Sequence, residues 1–267
     1  MDNIVALIFS KDRAMQLDLM LRSFFMYSKD EMEVVVIYKA SWEHAPSYKI
    51  LKSDFPKVVF VEQVNFKYDV LRALLKKDYV LFAVDDCIFV HDFSVARILT
   101  ELRSGDYLGC SLRLGENVTW CYNYGSEQHI PEYTVRGEFI SFNWTPRDSD
   151  FAYPLELSSS IFSVPEMMGI IRTPFYSNPN ELETIIAEAA ELHRGEYHPL
   201  LLCYPTSAAF CNPLNVVNSD NYNKCGKKYS VSYLFEKYME GYRINLDKFK
   251  NFIPNSCHQE VDVEFMI

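Results

Sequence analysis

An α/β fold with a doubly wound, mostly parallel sheet is predicted by three features of the first 90 residues. Apolar runs of strand length recur at residues 4–9, 33–38, 58–61 and 79–84, and segments suited to helices lie between them. Charged residues follow the first and last of these runs, at Lys11 to Arg13 and at Asp85-Asp86. A β-α-β-α-β-α-β alternation of this kind buries a parallel sheet between two layers of helices.

Residues 4–9 are apolar almost without interruption, as a strand buried on both faces must be. Met15, Leu19, Leu21 or Arg22, and Phe25 then repeat near the helical period. Residues 33–38 and 58–61 read as strands with a short helix over 46–51 between them, and 66–77 as a helix before the strand at 79–84. Ligands of such sheets bind beyond the carboxyl ends of the strands, so Ser10 to Arg13 and Asp85-Asp86 are expected to share one crevice. Further on, 93–103 reads as a helix and 107–114 as a strand. The aromatic-rich stretch 120–162 lacks a helical period and reads as strands and loops. A helix over 181–193 has Asn180 as its expected N-cap with Pro179 just before it. Residues 199–215 carry several prolines and no periodicity, and a last helix over 230–240 precedes the tail to Ile267. With no repeat, linker or low-complexity tract, one domain over 1–267 is expected.

The 267 residues are 49% hydrophobic and 23% charged, the balance of a globular protein with an ample core. A net charge of -10 without a Lys/Arg block argues against wrapping nucleic acid. Local cations at Lys11, Arg13, Lys67, Arg72, Lys76 and Lys77 still suit a small phosphorylated ligand. The seven cysteines form no C-x-x-C pair, so the spacing indicates neither a zinc site nor a disulfide framework and fits a reducing compartment. The apolar run near Met1 is preceded by Asp2 and closed by Lys11, too short for a signal peptide or a membrane span. A cytoplasmic location is expected, with peripheral membrane association left open.

The sharpest chemical signal is Asp85-Asp86 directly after an apolar strand. Adjacent carboxylates repel and must be solvated, paired or bridged by a divalent cation; one of them capping the following turn is the alternative. With the opening Ile4-Val5-Ala6-Leu7-Ile8-Phe9-Ser10-Lys11-Asp12-Arg13, the run from Tyr79 to Phe89 resembles the nucleotide-binding half of GT-A glycosyltransferases of the family 2-like type. The resemblance covers about the first 115 residues well and implies a nucleotide-sugar-binding half over 1–115. An acceptor-side α+β half with a C-terminal tail would then occupy 116–267. It also implies transfer of a sugar from a nucleotide-diphosphate donor to a glycan or other hydroxyl acceptor. In that superfamily an Asp-x-Asp motif holds Mn2+ or Mg2+ against the diphosphate. Here the motif is Asp85-Asp86-Cys87; the missing third acid leaves the division of labour within the pair open.

By the same resemblance Asp86 and a late histidine, His258, would be metal ligands, an oxygen-and-imidazole set that suits manganese better than magnesium. Ser10 and Arg13 would grip the nucleotide, with Asp85 and Asp86 beside them and Lys67 and Arg72 as further candidates, although solvated helix cations account for the last two equally well. Inversion requires a carboxylate base. Glu181 and Glu183 resemble the acids that open the acceptor-side helix, and favour inversion, with Asp148 and Asp150 as competitors. Capping-box spacing from Asn180 gives Glu183 a purely structural alternative. Trp120, Tyr122, Tyr124, Trp144 and Tyr153 could stack on an acceptor sugar or simply fill the core. The rival readings are a nucleotidyltransferase, opposed by the lack of glycine from Ser10 to Asp18, and a non-catalytic nucleotide- or glycan-binding module.

Overall fold

The computed structural model describes residues 3–145, 149–217 and 224–267. Its strands are β1 (Ile4–Lys11), β2 (Glu33–Lys39), β3 (Val59–Glu62), β4 (Tyr79–Val84), β5 (Cys87–Phe89), β6 (Tyr107–Ser111), β7 (Trp120–Cys121) and β8 (Ser126–Glu127). Then follow β9 (Tyr133–Arg136), β10 (Phe139–Asn143), β11 (Ser160–Ser163), β12 (Leu200–Cys203), β13 (Ala209–Cys211), β14 (Arg243–Ile244) and β15 (Phe265–Met266). Nine of them form one sheet in the order β3-β2-β1-β4-β11-β6-β12-β10-β9. All but β10 and β11 run in one direction, so the sheet is mostly parallel, as expected.

The apolar runs are continuous because both faces of the sheet are covered. Ala6 and Ile8 of β1 and Leu81 and Ala83 of β4 enter one core. Val5, Leu7, Phe9, Val80 and Phe82 enter the other. The first core receives α1 (Ala14–Tyr27), α2 (Ala45–Asp54), α4 (Val95–Leu102) and α7 (Val231–Met239); the second receives α3 (Phe66–Ala73), α5 (Val164–Ile171) and α6 (Pro179–Leu192). The sheet is thus doubly wound. Its strand order turns back beside β1, between β2 and β4, which leaves a crevice at the carboxyl ends of β1 and β4.

Several boundaries differ from the sequence reading. The strand expected over 107–114 ends at Ser111, because Leu112 donates to the Ser159 carbonyl and its own carbonyl receives Ala208 and Ala209. The helix expected over 66–77 ends at Ala73, and Lys76 takes a left-handed conformation at φ 61°. The proline-rich stretch 199–215 holds β12 and β13, which its flanking prolines concealed. The start of α6 also needs correction: its N-cap is Asn178, not Asn180, and Asn178 accepts from the Glu181 amide. Pro179 is the first helical residue, where its missing N–H costs nothing. No helix among the described residues is long and apolar enough to cross a membrane.

Candidate active site

A cleft of about 470 Å³ opens at the carboxyl ends of β1 and β4. Ser10, Arg13, Asp85, Asp86, Asp150, Glu183 and His258 all line it. Lys67, Arg72 and Glu181 do not, and Asp148 lies outside the described residues.

The first wall is built by the turn from β1 into α1. Asp12 adopts φ 53°, a conformation aspartate tolerates, and its carboxylate accepts from the Ser41 amide at 2.7 Å. That turn sends Arg13 back across the strand ends. The guanidinium donates to Asp85 at 3.0 Å and to Asp86 at 3.4 Å, while Nε reaches Asn215 Oδ1 at 3.0 Å and Nη2 reaches the Asn215 carbonyl. Ser10 exchanges a 2.6 Å hydrogen bond with the buried Tyr48 hydroxyl, which also accepts from the Arg13 amide.

The two aspartates are not equivalent. Asp85 is buried and accepts from the Lys11 amide as well as from Arg13, so its carboxylate is compensated on both sides. Asp86 faces the cleft, and burial outweighs Arg13 enough to push its carboxyl up to about 6, with Asp85 adding to the rise. The absent third acid has a structural explanation: Cys87 turns away from the cleft and meets Cys211 on β13.

Across the cleft, Glu183 leaves α6 and accepts from the Leu157 amide at 3.3 Å. Burial, helped by the neighbouring Glu156, raises its carboxyl to about 6 against the opposing pull of Arg113. Glu181 instead accepts from the Ser177 amide at 2.7 Å and from the Ser177 hydroxyl, which holds its carboxyl below the usual range. Capping therefore belongs to Glu181, not to Glu183. Asp150 is buried and exchanges hydrogen bonds with Gln128 at 2.8 and 3.1 Å while still touching the cleft.

The tail reaches the cleft through local pairing. Cys211 donates to the Cys257 carbonyl and accepts from the Gln259 amide, and this bridge delivers His258 to the wall beside Asp86's strand extension. Among the described residues, His258 Nδ1 is buried without a hydrogen-bond partner. Burial and the nearby Arg113 lower the imidazole to about 4, which leaves it neutral and able to act as a ligand. An orphaned imidazole nitrogen and a cleft-facing carboxylate fit a divalent cation by their chemistry. Among the described residues, however, the cluster with ligand atoms within 4.8 Å of one another is Asp86, Cys87 and Cys211, without His258.

Lys67 is held by the carbonyls of Thr173 and Pro174, at 3.1 and 2.7 Å, and Arg72 is exposed on α3. Of the aromatic candidates, Tyr122, Tyr124 and Tyr153 line the cleft. Trp144 is core and donates to the His198 carbonyl, and Trp120 stands outside the cleft. Arg113 was missed. It sits just beyond β6, buried against Glu156 at 3.4 Å, and its position after an apolar strand is the same signal that exposed Asp85-Asp86. Asn215, the anchor of Arg13, carries no such signal.

No family model matches the chain. It is 29% identical over 192 residues to the bifunctional glycosyltransferase pgtA of Dictyostelium discoideum, a match covering 64% of this chain and 25% of that protein. The chain therefore spans about a quarter of the length of this curated relative. Among solved structures, residues 1–349 of S. aureus TarS align over 78% of this chain and 59% of that one, at 13% identity and a TM-score of 0.45. The mannosyltransferase PcManGT from Pyrobaculum calidifontis, in complex with GDP-Man and Mn2+, aligns over 76% and 57%, at 12% identity and a TM-score of 0.43. A 4-diphosphocytidyl-2C-methyl-D-erythritol synthase from Anaerococcus prevotii aligns over 78% and 91%, at 10% identity and a TM-score of 0.42. The structural likenesses are too low to bear on chemistry. The sequence match is the finding that counts, and it is a similarity to part of one glycosyltransferase.

Proposed function

We propose that this chain is a GT-A type glycosyltransferase that moves a sugar from a nucleotide-diphosphate donor to a hydroxyl acceptor with inversion. The observation that carries the reading is the pairing of opposite walls in one cleft: Arg13 with Asp85 and Asp86 on one side, and the carboxyl of Glu183 on the other. Relationship to a glycosyltransferase supports it from sequence. Residues 1–115 supply the donor side and 116–267 the acceptor side. The protein works in the cytoplasm.

Asp86 and His258 would hold a divalent cation, manganese by preference, which supplies charge for the departing nucleoside diphosphate. Asp85 keeps Arg13 in place, and Ser10 and Arg13 border the nucleotide. Arg13 already has carboxylate and carbonyl partners, so it orients the acids at least as much as it binds phosphate. Glu183 accepts the proton of the attacking hydroxyl. A carboxyl raised to about 6 is ionised near neutrality yet a stronger base than an ordinary glutamate. Tyr124 and Tyr153 offer faces for the acceptor, while the Tyr122 ring is covered by Lys224.

Calorimetry with nucleoside diphosphates tests the donor side. Manganese should tighten binding in the wild type, and Asp86→Asn should remove that gain with the fold intact. Equal affinity in manganese and in chelator would end the metal-dependent reading.

A further inference from the structure

Cys87 and Cys211 stand directly opposite each other on the antiparallel strands β5 and β13, with Sγ atoms 3.3 Å apart and both side chains fully buried. One Asp86 oxygen and the two sulfurs lie within 4.8 Å of one another. A tetrahedral site with metal–sulfur bonds of about 2.3 Å and metal–oxygen bonds of about 2.0–2.2 Å needs its ligand atoms roughly 3.5–3.8 Å apart. The sulfurs stand slightly closer than that and the oxygen lies within 4.8 Å of both, so side-chain adjustment is needed to complete the arrangement.

We propose that Asp86, Cys87 and Cys211 form a binding site for a thiophilic divalent cation of the zinc and cadmium class. Two sulfurs favour soft or borderline cations over manganese and magnesium, which prefer oxygen. Asp86 borders the cleft and the thiols lie behind it, so the cation enters from the cleft and a water completes the fourth position. Both thiol protons leave to solvent as the thiolates coordinate. The sequence hides this site because its sulfurs are separated by 124 positions, joined only when β13 pairs with β5. It also gives the missing third acid a consequence: the position, turned away from the cleft, adds sulfur behind it.

Titration of the full chain with cadmium, without any sugar donor, tests the site separately from the glycosyltransferase reading. One equivalent should produce the ultraviolet thiolate-to-cadmium charge-transfer band. Cys87→Ser and Cys211→Ser should each lose at least half of it, while Cys225→Ser keeps it. Asp86→Asn, which leaves the buried sulfurs untouched, should weaken cadmium affinity about tenfold or more. No band at one equivalent overturns the proposal, as does a full band in Cys87→Ser or Cys211→Ser. If either serine variant fails to fold, unchanged cadmium affinity in Asp86→Asn overturns it instead.

Discussion

Glu181 and Glu183 leave the first two turns of α6 about 200° apart around its axis and meet opposite environments. Glu181 reaches back to Ser177, where an amide and a hydroxyl stabilise its charge. Glu183 points into the cleft, accepts a single amide and sits near Glu156. The same contrast recurs on the opposite wall, where Asp85 is compensated by Arg13 and the Lys11 amide and Asp86 carries the raised carboxyl. In each pair one acid holds the structure and its neighbour stays available for chemistry. Stability is given up at the second member, which is where function is to be sought.

Replacing Glu183 breaks the contrast most sharply. Glu183→Gln should slow sugar transfer about 10²–10⁴-fold with donor affinity little changed, as measured by steady-state kinetics. Arg13→Gln should come next. It leaves Asp85 and Asp86 without their shared cation and should cost about 3–5 kcal/mol of stability in urea unfolding at pH 8, the typical loss when one partner of a buried pair is removed.

The same unfolding experiment should show Glu183→Gln to be more stable than wild type. A carboxyl raised from 4.5 to about 6 by folding is penalised when ionised, by about 2 kcal/mol. The folded chain binds the extra proton between those values, so the penalty is complete above pH 6 and disappears below pH 4.5. The gain in the variant should follow that pH window. Glu181→Ala is the smallest effect and has the opposite sign: a loss of about 0.5–2 kcal/mol with transfer near the wild-type rate. A catalytic defect in Glu181→Ala with Glu183→Gln active would reverse the assignment of the two acids.

Much of this arrangement was legible in the sequence because the strands are buried on both faces. Runs such as 4–9 and 79–84 had to be apolar throughout, and the charges that end them had to mark the cleft. The position of α6 was legible but its cap was not. Asn178 and Asn180 both suit a cap, and the choice turns on Pro179, which belongs at the first helical position rather than before the cap. That shift of two residues moved the capping role from Glu183 to Glu181. Contacts formed far along the chain were the least visible. Asn215 anchors Arg13 across 202 positions, and Arg113 meets Glu156 only after β6 and β11 pair. His258 could be nominated by resemblance, but its route to the cleft through Cys211 depends on a bridge with no sequence pattern. Lys67 was a nucleotide-binding candidate on a helix, yet it faces the carbonyls of a neighbouring loop.

The pH dependence of donor turnover bears most directly on the central claim that Glu183 is the base of a sugar-transfer site. Release of nucleoside diphosphate from a panel of nucleotide sugars, in manganese, should be measured from pH 4.5 to 9 for the wild type and Glu183→Gln. The wild-type rate should fall on the acid side with a midpoint near 6, where the Glu183 carboxyl takes up its proton. The variant should be slow throughout and lack that limb. A Glu183→Gln protein with the wild-type rate and the same acid limb would contradict the account.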